Sequence, residues 1–338
     1  MKYGIFILAL FFLFSCDDNP TKPKEKDPPQ VSDEWLSVGK EIESQVIEDL
    51  AVDPFAKQTI YVATIQGFFK STDGAKTWQN LSSGLNSTYI LCIAVDPIVP
   101  NRLVIGTKSD GLYLSNDGGS TWKNAWFERT DKQVISVHIA TDGMFWAGTV
   151  RGLFYSKNQG ETWMDGKISG RVDAVITHPQ DPNKVWCSKL YKGIYFSSDK
   201  GNTWQLSNSG IKTGSFGYDH ALKFVFNPHM TSQLYACMVS GDVCKSSNLG
   251  ESWISIRSQI HWQHINSIWY DPDHVSEIWA ATKDNGVYRS LDDGQTWSKF
   301  GEGIDGKELT AIKTINTTDR AVIVGSEGKG LYKHVVSK

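Results

Sequence analysis

Five acidic residues, each in a segment predicted to connect strands, could supply the chemistry of glycoside hydrolysis. A glycosidase needs two carboxyl groups at a fixed separation, one as general acid and the other as base or nucleophile. In this chain of 338 residues the candidates are Glu128, Asp165, Asp219, Glu302 and Asp305. Their positions along the chain do not show whether any two converge, so an enzyme is one of two functional hypotheses.

The sequence predicts no metal or cofactor site. Its five cysteines form no Cys-x-x-Cys pair, and no histidine pair has zinc-binding spacing. Cys237 and Cys244 flank a predicted turn at Ser240-Gly241, which would place them across a hairpin from each other. Either a disulfide or two small apolar strand residues fits that arrangement.

An eight-residue motif, Ser-x-Asp-x-Gly-x-Thr-Trp, occurs six times along the chain. We expect the structural elements that contain it to set the positions of the candidate functional residues. Its tryptophans are separated by 44, 41, 41, 49 and 44 residues, a period typical of solenoids and propellers. The acid or amide at its third position and the final tryptophan are Asp73 and Trp78, Asp117 and Trp122, Asn158 and Trp163, Asp199 and Trp204, Asn248 and Trp253, and Asp292 and Trp297.

The residue types of this motif predict a tight turn between two strands. The third-position carboxylate or amide can accept hydrogen bonds from nearby backbone N–H groups. Glycine at the fifth position permits a positive φ, and Ala75 is the one departure from it. The tryptophan is a large apolar side chain with one N–H to satisfy, which suits a position between neighbouring units.

The segments between the motifs predict an all-β fold, a seven-bladed β-propeller of four-stranded antiparallel blades. Seven second strands are recognisable, from Ile60–Ala63 to Val322–Ser326, and seven third strands open with glycine. The seventh unit lacks a motif and a fourth strand. Residues 34–39 align with the segment after the sixth motif, and Trp35 takes the place of the motif tryptophan. We therefore expect the N-terminal strand to complete the last blade and close the ring.

The motif resembles the Asp-box, or BNR, repeat of sialidases, sortilin, xyloglucanases and the photosystem II assembly-factor propellers. The resemblance covers nearly all of residues 34–338 for the fold, but it does not extend to catalytic motifs. The chain contains no Arg-Ile-Pro segment and only seven arginines, and it has one propeller where xyloglucanases have two. This favours a non-enzymatic binding or scaffold module over the alternative, a glycoside hydrolase or another glycan-active enzyme.

The resemblance also implies which side of the propeller binds ligands. In this family the Asp-box turns lie on one rim, and the opposite side, built from blade connections and second-to-third-strand turns, carries the ligand site. Cationic and aromatic residues predicted on that side would suit an acidic peptide or a glycan. These candidate binding residues are Arg151, Arg171, Tyr191, Lys192, Tyr218, His220, Trp262, His264 and Lys283.

The N-terminus predicts export and a lipid anchor. Lys2 precedes an apolar run from Gly4 to Phe14, which is too short for a stable membrane span, and Ser15-Cys16 follows it. This resembles a bacterial lipobox, with residues 1–15 as signal peptide and Cys16 as the lipidated residue; an ordinary signal peptide is the alternative. Residues 16–33 would form a flexible tether before the propeller of residues 34–338.

Charge and composition narrow the class of partner. Removal of Lys2 with the signal leaves 33 of the 34 basic residues against 37 acidic ones, and no long basic run is present. The sequence therefore predicts no nucleic-acid partner. We expect a monomeric propeller that is tethered in the bacterial cell envelope, on the periplasmic side or at the cell surface, and that binds an envelope protein or a glycan.

Overall fold

The computed structural model describes residues 33–126, 130–256, 264–317 and 319–336, and within them the predicted seven-bladed propeller is confirmed. The elements that precede the first blade are β1 (Leu36–Val38) and a 3-10 helix at Lys40–Ile42. No helix in these ranges is long and apolar enough to cross a membrane.

Seven four-stranded antiparallel sheets form the blades, and the first strand of each blade is innermost. Blades 1 to 3 comprise β2 (Ile47–Val52), β3 (Ile60–Thr64), β4 (Gly67–Ser71) and β5 (Gln79–Asn80); β6 (Ile90–Val95), β7 (Leu103–Thr107), β8 (Leu112–Ser115) and β9 (Lys123–Asn124); and β10 (Val134–Ile139), β11 (Phe145–Thr149), β12 (Gly152–Ser156) and β13 (Met164–Ser169). Blade 4 comprises β14 (Val172–Thr177), β15 (Val185–Lys189), β16 (Gly193–Ser197) and β17 (Gln205–Leu206), and a small hairpin of β18 (Thr213–Gly214) and β19 (Gly217–Tyr218) follows it. Blades 5 to 7 comprise β20 (Ala221–Phe226), β21 (Leu234–Met238), β22 (Val243–Ser246) and β23 (Ile254–Ser255); β24 (Ile265–Tyr270), β25 (Ile278–Thr282), β26 (Asn285–Ser290) and β27 (Ser298–Asp305); and β28 (Leu309–Asn316), β29 (Arg320–Ser326) and β30 (Leu331–Val335).

The N-terminal strand completes the last blade, as predicted. β1 pairs antiparallel with β30, with Ser37 opposite Tyr332, and the sheet order is β1-β30-β29-β28. Trp35 is 5% exposed and packs in one core cluster with Trp279 and Ile304 of blade 6. Because β28 also contacts β2 of blade 1, the ring of blades is closed.

Each Asp-box forms the predicted turn. In the second box, Asp117 Oδ1 accepts the Thr121 backbone N–H at 2.9 Å and Oδ2 accepts the Thr121 hydroxyl at 2.6 Å. These bonds, foremost the one from the Thr121 hydroxyl, lower the pKa of Asp117 to about 2. Asn158 keeps the first bond at 3.0 Å and donates from Nδ2 to the Thr162 hydroxyl, so an amide serves as well as a carboxylate.

Ala75 adopts the conformation that glycine has in the other boxes. Its φ is 73°, and its N–H donates to Ser71 Oγ at 2.9 Å, as the Gly119 N–H does to Ser115 Oγ at 2.8 Å. The fourth position is also left-handed where it is not glycine, with φ of 58° at Gln159 and 56° at Leu249. This second left-handed position was not predicted from the sequence, and the conformation costs about 1–2 kcal/mol in a residue with a side chain.

The hypothesis of a disulfide between Cys237 and Cys244 is wrong. Cys237 pairs with Val243, and Cys244 pairs with Ala236. Neighbouring residues of a strand point to opposite faces of the sheet, so the two thiols lie on opposite faces. Cys237 accordingly packs in the core towards blade 6, and Cys244 packs in the core with Trp186 of blade 4.

The box tryptophans join neighbouring blades through their indole N–H groups. Each donates to the carbonyl of the residue three positions after the tryptophan of the preceding blade. The bonds are Trp122 to Leu81, Trp163 to Ala125, Trp204 to Gly166, Trp253 to Ser207, Trp297 to Ile256 and Trp35 to Phe300, at 2.7–3.1 Å. Trp78 is the exception, because its buried Nε1 has no hydrogen-bond partner among the described residues.

This exception provides a matched test of the inter-blade hydrogen bond. Trp253 and Trp78 are 2% and 7% exposed, so replacing either by Phe removes a similar apolar area. Trp253→Phe also leaves the Ser207 carbonyl without its buried donor, which costs about 1–2 kcal/mol, whereas Trp78→Phe loses no such bond. Urea unfolding should show Trp253→Phe to be the less stable by about that amount. Equal losses in the two variants would mean that the indole bond contributes nothing.

Candidate functional site

The two sides of the propeller are distinguished by which turns bond to each other. On the side that we call the box face, the Asp-box turn of a blade bonds to its first-to-second-strand turn, as from the Gly118 N–H to the Asn101 carbonyl at 2.8 Å. On the other side, the connection face, the turn after the second strand bonds to the residue before the first strand. The Leu190 N–H, for example, donates to the Arg171 carbonyl at 3.0 Å. This is the division that the resemblance implied.

A β-bulge recurs at the connection-face end of every innermost strand and was not foreseen from the sequence. The antiparallel register slips by one residue at the second position of each of these strands. Several of the extra side chains reach the next blade. Thr310 Oγ1 donates to the Ile47 carbonyl at 2.5 Å, and Asn266 Nδ2 donates to the Leu309 carbonyl at 2.9 Å. The bulges thus place polar groups at the mouth of the central channel.

Asp173 is the bulge residue of blade 4, and it forms the buried centre of the candidate site. Its Oδ1 accepts a hydrogen bond from Arg171 Nε at 2.6 Å, and its Oδ2 lies 3.5 Å from His220 Nε2. The Asp173 and His220 side chains are 2% and 5% exposed, whereas that of Arg171 is 44% exposed. Arg171 is therefore held by a buried carboxylate while part of its guanidinium remains available to a ligand.

Three aromatic side chains stand in the solvent above this centre. Phe216, at the tip of the β18–β19 hairpin, is 81% exposed, and Tyr191 and Tyr218 are 49% and 38% exposed. The Tyr191 ring lies 5.9 Å from that of Phe216 and 6.1 Å from that of His220. We call Arg171, Tyr191, Lys192, Phe216 and Tyr218 the aromatic–cationic patch.

The hairpin is docked on blade 4 through backbone contacts. Lys192 and Tyr218 form a parallel β-bridge, which joins the hairpin to the turn between β15 and β16. Gly217 has a φ of 129°, and a Cβ there would lie 2.2 Å from the Tyr191 carbonyl oxygen. Only glycine permits this approach, so the position of Phe216 and Tyr218 depends on Gly217.

The structure brings together five of the nine predicted binding residues: Arg171, Tyr191, Lys192, Tyr218 and His220. His220 is buried against Asp173, so it supports the patch from beneath. Arg151 is exposed. It lies beside the patch, since its carbonyl accepts a hydrogen bond from the N–H of Gly170, the neighbour of Arg171, at 2.7 Å. His264 and Lys283 lie at blade 6, where the Lys283 N–H donates to the His264 carbonyl at 2.7 Å. Trp262 lies outside the described residues.

Of the five acids considered for hydrolysis, the four that the structure describes are spread over blade 3, blade 6 and the connection between blades 4 and 5. The fourth strands of blades 3 and 6 are longer than expected, so Asp165 lies in β13, and Glu302 and Asp305 lie in β27, all at the outer edge of the ring. Asp305 pairs with Lys299 at 2.5 Å. Asp219 is on the connection face but accepts the Ser240 hydroxyl, and Glu128 lies outside the described residues.

A different set of carboxyl groups does meet on the connection face, at blades 7 and 1. A hydrogen bond between the carboxyl groups of Glu327 and Glu308 raises the pKa of Glu327, and burial raises that of Glu48, which is hydrogen-bonded to Tyr89. Glu48 is the bulge residue of blade 1, so Glu48 with Tyr89 repeats the arrangement of Asp173 with His220. These carboxyl groups could have been found from their positions in the repeat. Those positions can be recognised only once the location of the bulges is known.

Three possible metal ligands, Asp271, His274 and Glu277, also lie within 4.8 Å of one another, but on the box face. Arg320 donates to both carboxylates, at 2.6 Å for Glu277, and Arg289 Nε donates to Glu277 at 3.0 Å. Two guanidinium groups already neutralise these acids, and a metal ion would have to displace them. The cluster is an ion-pair network that joins blade 7 to blade 6.

Comparisons with known proteins agree with the fold. Residues 110–240, less than half of the chain, match the Sortilin-Vps10 family model, described as sortilin, neurotensin receptor 3. A xyloglucanase of Hypocrea jecorina is 33% identical over 110 residues, which are 30% of this chain and 13% of that enzyme. An oligoxyloglucan-reducing end-specific xyloglucanase of Emericella nidulans is 32% identical over 82 residues, 22% of this chain and 10% of the enzyme. The matches thus span about a tenth of these enzymes.

Solved structures match over most of the chain at low identity. YCF48 from Cyanidioschyzon merolae superposes with a TM-score of 0.67 and 16% identity, covering 89% of this chain and 98% of that one. YCF48 bound to D1 peptide gives the same score and identity over 90% and 96%. An ancestral GH74 enzyme gives 0.59 and 18% identity over 88% and 46%. The chain is a β-propeller similar to the Vps10 and BNR-repeat propellers.

The buried His220 predicts a pH-dependent stability. Burial lowers the pKa of His220 below its usual 6.5, although Asp173 acts in the opposite direction. As the pH falls below about 6.5, the unfolded chain takes up a proton at this position before the folded protein does, so stability decreases. Urea midpoints at pH 7 and pH 5 should therefore differ less in His220→Gln than in the wild type. His229→Gln, at an exposed position, should keep the wild-type difference, and an unchanged difference in His220→Gln would contradict this assignment.

Proposed function

We propose that this protein is a non-enzymatic binding module whose aromatic–cationic patch takes an acidic segment of an envelope protein. The observation that carries the proposal is the exposure of Phe216 and Tyr218, at 81% and 38%, on a hairpin docked to the propeller, and of Tyr191, at 49%, in the adjoining turn of blade 4. Large aromatic side chains dominate the energetics of protein interfaces when a partner buries them. A rigid scaffold that presents them loses little conformational entropy on binding.

The charge around these rings favours an acidic partner. Arg171, Lys192 and Arg151 are exposed. Lys189 also lies close to Arg171, since its Cε is 3.5 Å from the position that a Cβ of the neighbouring Gly170 would occupy. Two acids of this region are both engaged, Asp173 with Arg171 and Asp219 with Ser240. Carboxylates of a partner would therefore meet Lys192 and Arg151, which form no ion pair with the described residues, and the exposed part of Arg171 beside the aromatic rings. The solved structure of YCF48 with D1 peptide is a precedent for a peptide bound by a single propeller of this size.

Binding of peptides of matched composition tests the proposal. The probes are peptides that alternate Glu with Leu or Phe, with the same sequences carrying Gln in place of Glu. We expect the full chain to bind the acidic peptides, and Tyr191→Ala with Phe216→Ala to weaken that binding at least about tenfold. Phe55→Ala is the matched control, since Phe55 is 52% exposed but lies in the first-to-second-strand turn, on the box face. Fluorescence anisotropy measures the affinities.

Two results would contradict the choice of patch and of partner. Equal weakening by Phe55→Ala would show that the aromatic–cationic patch is not the site. Equal affinity for the Gln peptides would remove the role of the cations. Gly217→Ala provides a further check, because it should displace the hairpin and weaken binding without removing any aromatic ring.

A glycan-active enzyme is the second candidate function. It is favoured by the similarity to xyloglucanases and by two carboxyl groups on the connection face whose pKa is raised, that of Glu327 by a hydrogen bond with Glu308 and that of Glu48 by burial. A screen of oligosaccharides with the same protein distinguishes the two functions. Turnover that is abolished in Glu327→Gln but retained in Tyr191→Ala with Phe216→Ala would replace the binding proposal with the enzymatic one.

We further propose that Cys16 carries a lipid and tethers the propeller to the membrane. The support is the apolar run that ends before Ser15-Cys16 and the polar, proline-rich segment after it. Metabolic labelling with a fatty-acid analogue in the native bacterium should label the wild type and leave Cys16→Ala unlabelled. Equal labelling of both proteins would refute the anchor without affecting the choice of binding patch.

A further inference from the structure

The central channel is a cavity of about 520 Å³ lined by the innermost strands of the seven blades. The fifth residue of each innermost strand contributes one side chain to a common layer, in a position that is half-buried. The layer consists of Ala51, Ala94, His138, Ile176, Val225, Trp269 and Lys313. It is mostly apolar, and Lys313 introduces an ammonium group into it.

An ion pair crosses the channel between this layer and the connection face. Lys223 Nζ of blade 5 lies 2.7 Å from Asp49 Oδ1 of blade 1, which is on the other side of the ring. Both are the third residue of their innermost strand, one layer nearer the connection face than Lys313. Asp49 Oδ2 also accepts the Ile93 N–H at 3.1 Å, so this carboxylate is engaged by Lys223 and blade 2.

Lys313 has no acidic partner among the described residues. Its Nζ lies 3.7 Å from the centre of the Trp269 ring, and Trp269 Nε1 donates to Thr314 Oγ1 at 2.9 Å, which fixes the ring beneath the ammonium group. Burial is the main cause, and Lys223 the second, of a pKa near 7 for Lys313, while Asp49 acts against them. His138, in the same layer, has a pKa of about 4 because of burial, and it is neutral at pH 7.

We propose that the channel binds a small monocarboxylate whose carboxylate pairs with Lys313 and whose apolar part packs against Trp269, Ile176 and Val225. A half-buried cation without an acidic partner is costly, and an anion that binds beside it recovers part of that cost. The mostly apolar layer selects an organic anion over a hydrated inorganic one. The Asp49–Lys223 pair obstructs the connection side, and Pro54, Pro97, Pro228 and Pro272 line the other end of the channel, so the ligand enters from the box face.

Equilibrium dialysis of the full chain with butyrate, and with butyramide as its neutral counterpart, tests the proposal. We expect saturable binding of butyrate at one site and no comparable binding of butyramide. Because Lys313 is mostly protonated at pH 6 and mostly neutral at pH 8, the affinity for butyrate should be about tenfold lower at pH 8. Absence of butyrate binding, or equal binding of butyramide, would overturn the proposal.

Two substitutions at position 313 separate charge from structure. Lys313→Gln should lose butyrate binding, whereas Lys313→Arg keeps a permanent charge and should bind equally at pH 6 and pH 8. Lys245→Gln is the matched control, because Lys245 Nζ also lies over an aromatic ring, at 5.4 Å from that of Tyr235, but outside the channel. Wild-type affinity in Lys313→Gln, or a retained pH dependence in Lys313→Arg, would contradict the role of Lys313.

Discussion

The hydrogen bond from the indole of every box tryptophan except Trp78 to the preceding blade is the interaction on which the rest of the structure depends. A four-stranded sheet alone cannot bury both of its faces, so each blade is stable only against its neighbours. The indole group fills the space between two blades, and its N–H fixes their relative position. Trp35 carries this arrangement across the junction between the chain termini, and the ring therefore closes with a side-chain bond as well as a strand.

The sequence was sufficient to predict the scaffold because each scaffold role requires one kind of residue. Only an acid or amide can accept the turn N–H groups, and only a small residue suits the fifth position of the box, where even Ala75 is accommodated. The alignment of Trp35 with the motif tryptophans likewise predicted its indole position. A prediction that rested on a single pair of residues was less reliable. The spacing of Cys237 and Cys244 is compatible with two cysteines that face each other, but the register of the hairpin decides whether they do. The spacing does not determine that register.

The candidate site was predicted in part, for a related reason. Tyr191, Lys192 and Tyr218 are in connections that the repeat assigned to one side, and the structure joins them through the Lys192–Tyr218 bridge. The bulges were missed because they shift the register without changing the composition of the strand. Asp173 and Glu48 therefore looked like ordinary strand residues, although each supports a titratable neighbour at the channel mouth.

A repeated scaffold makes departures from the repeat the most informative positions for function. Lys313 occupies a position that is apolar in five of the other six blades, and nothing in the packing of the blades requires a charge there. The β18–β19 hairpin is likewise an addition between two blades, and it exposes aromatic area instead of burying it. Both features cost stability, through an uncompensated cation and through apolar surface in water. The inter-blade tryptophan bonds offset such costs, and this leaves the connection face and the channel free to carry chemistry that the fold itself does not need.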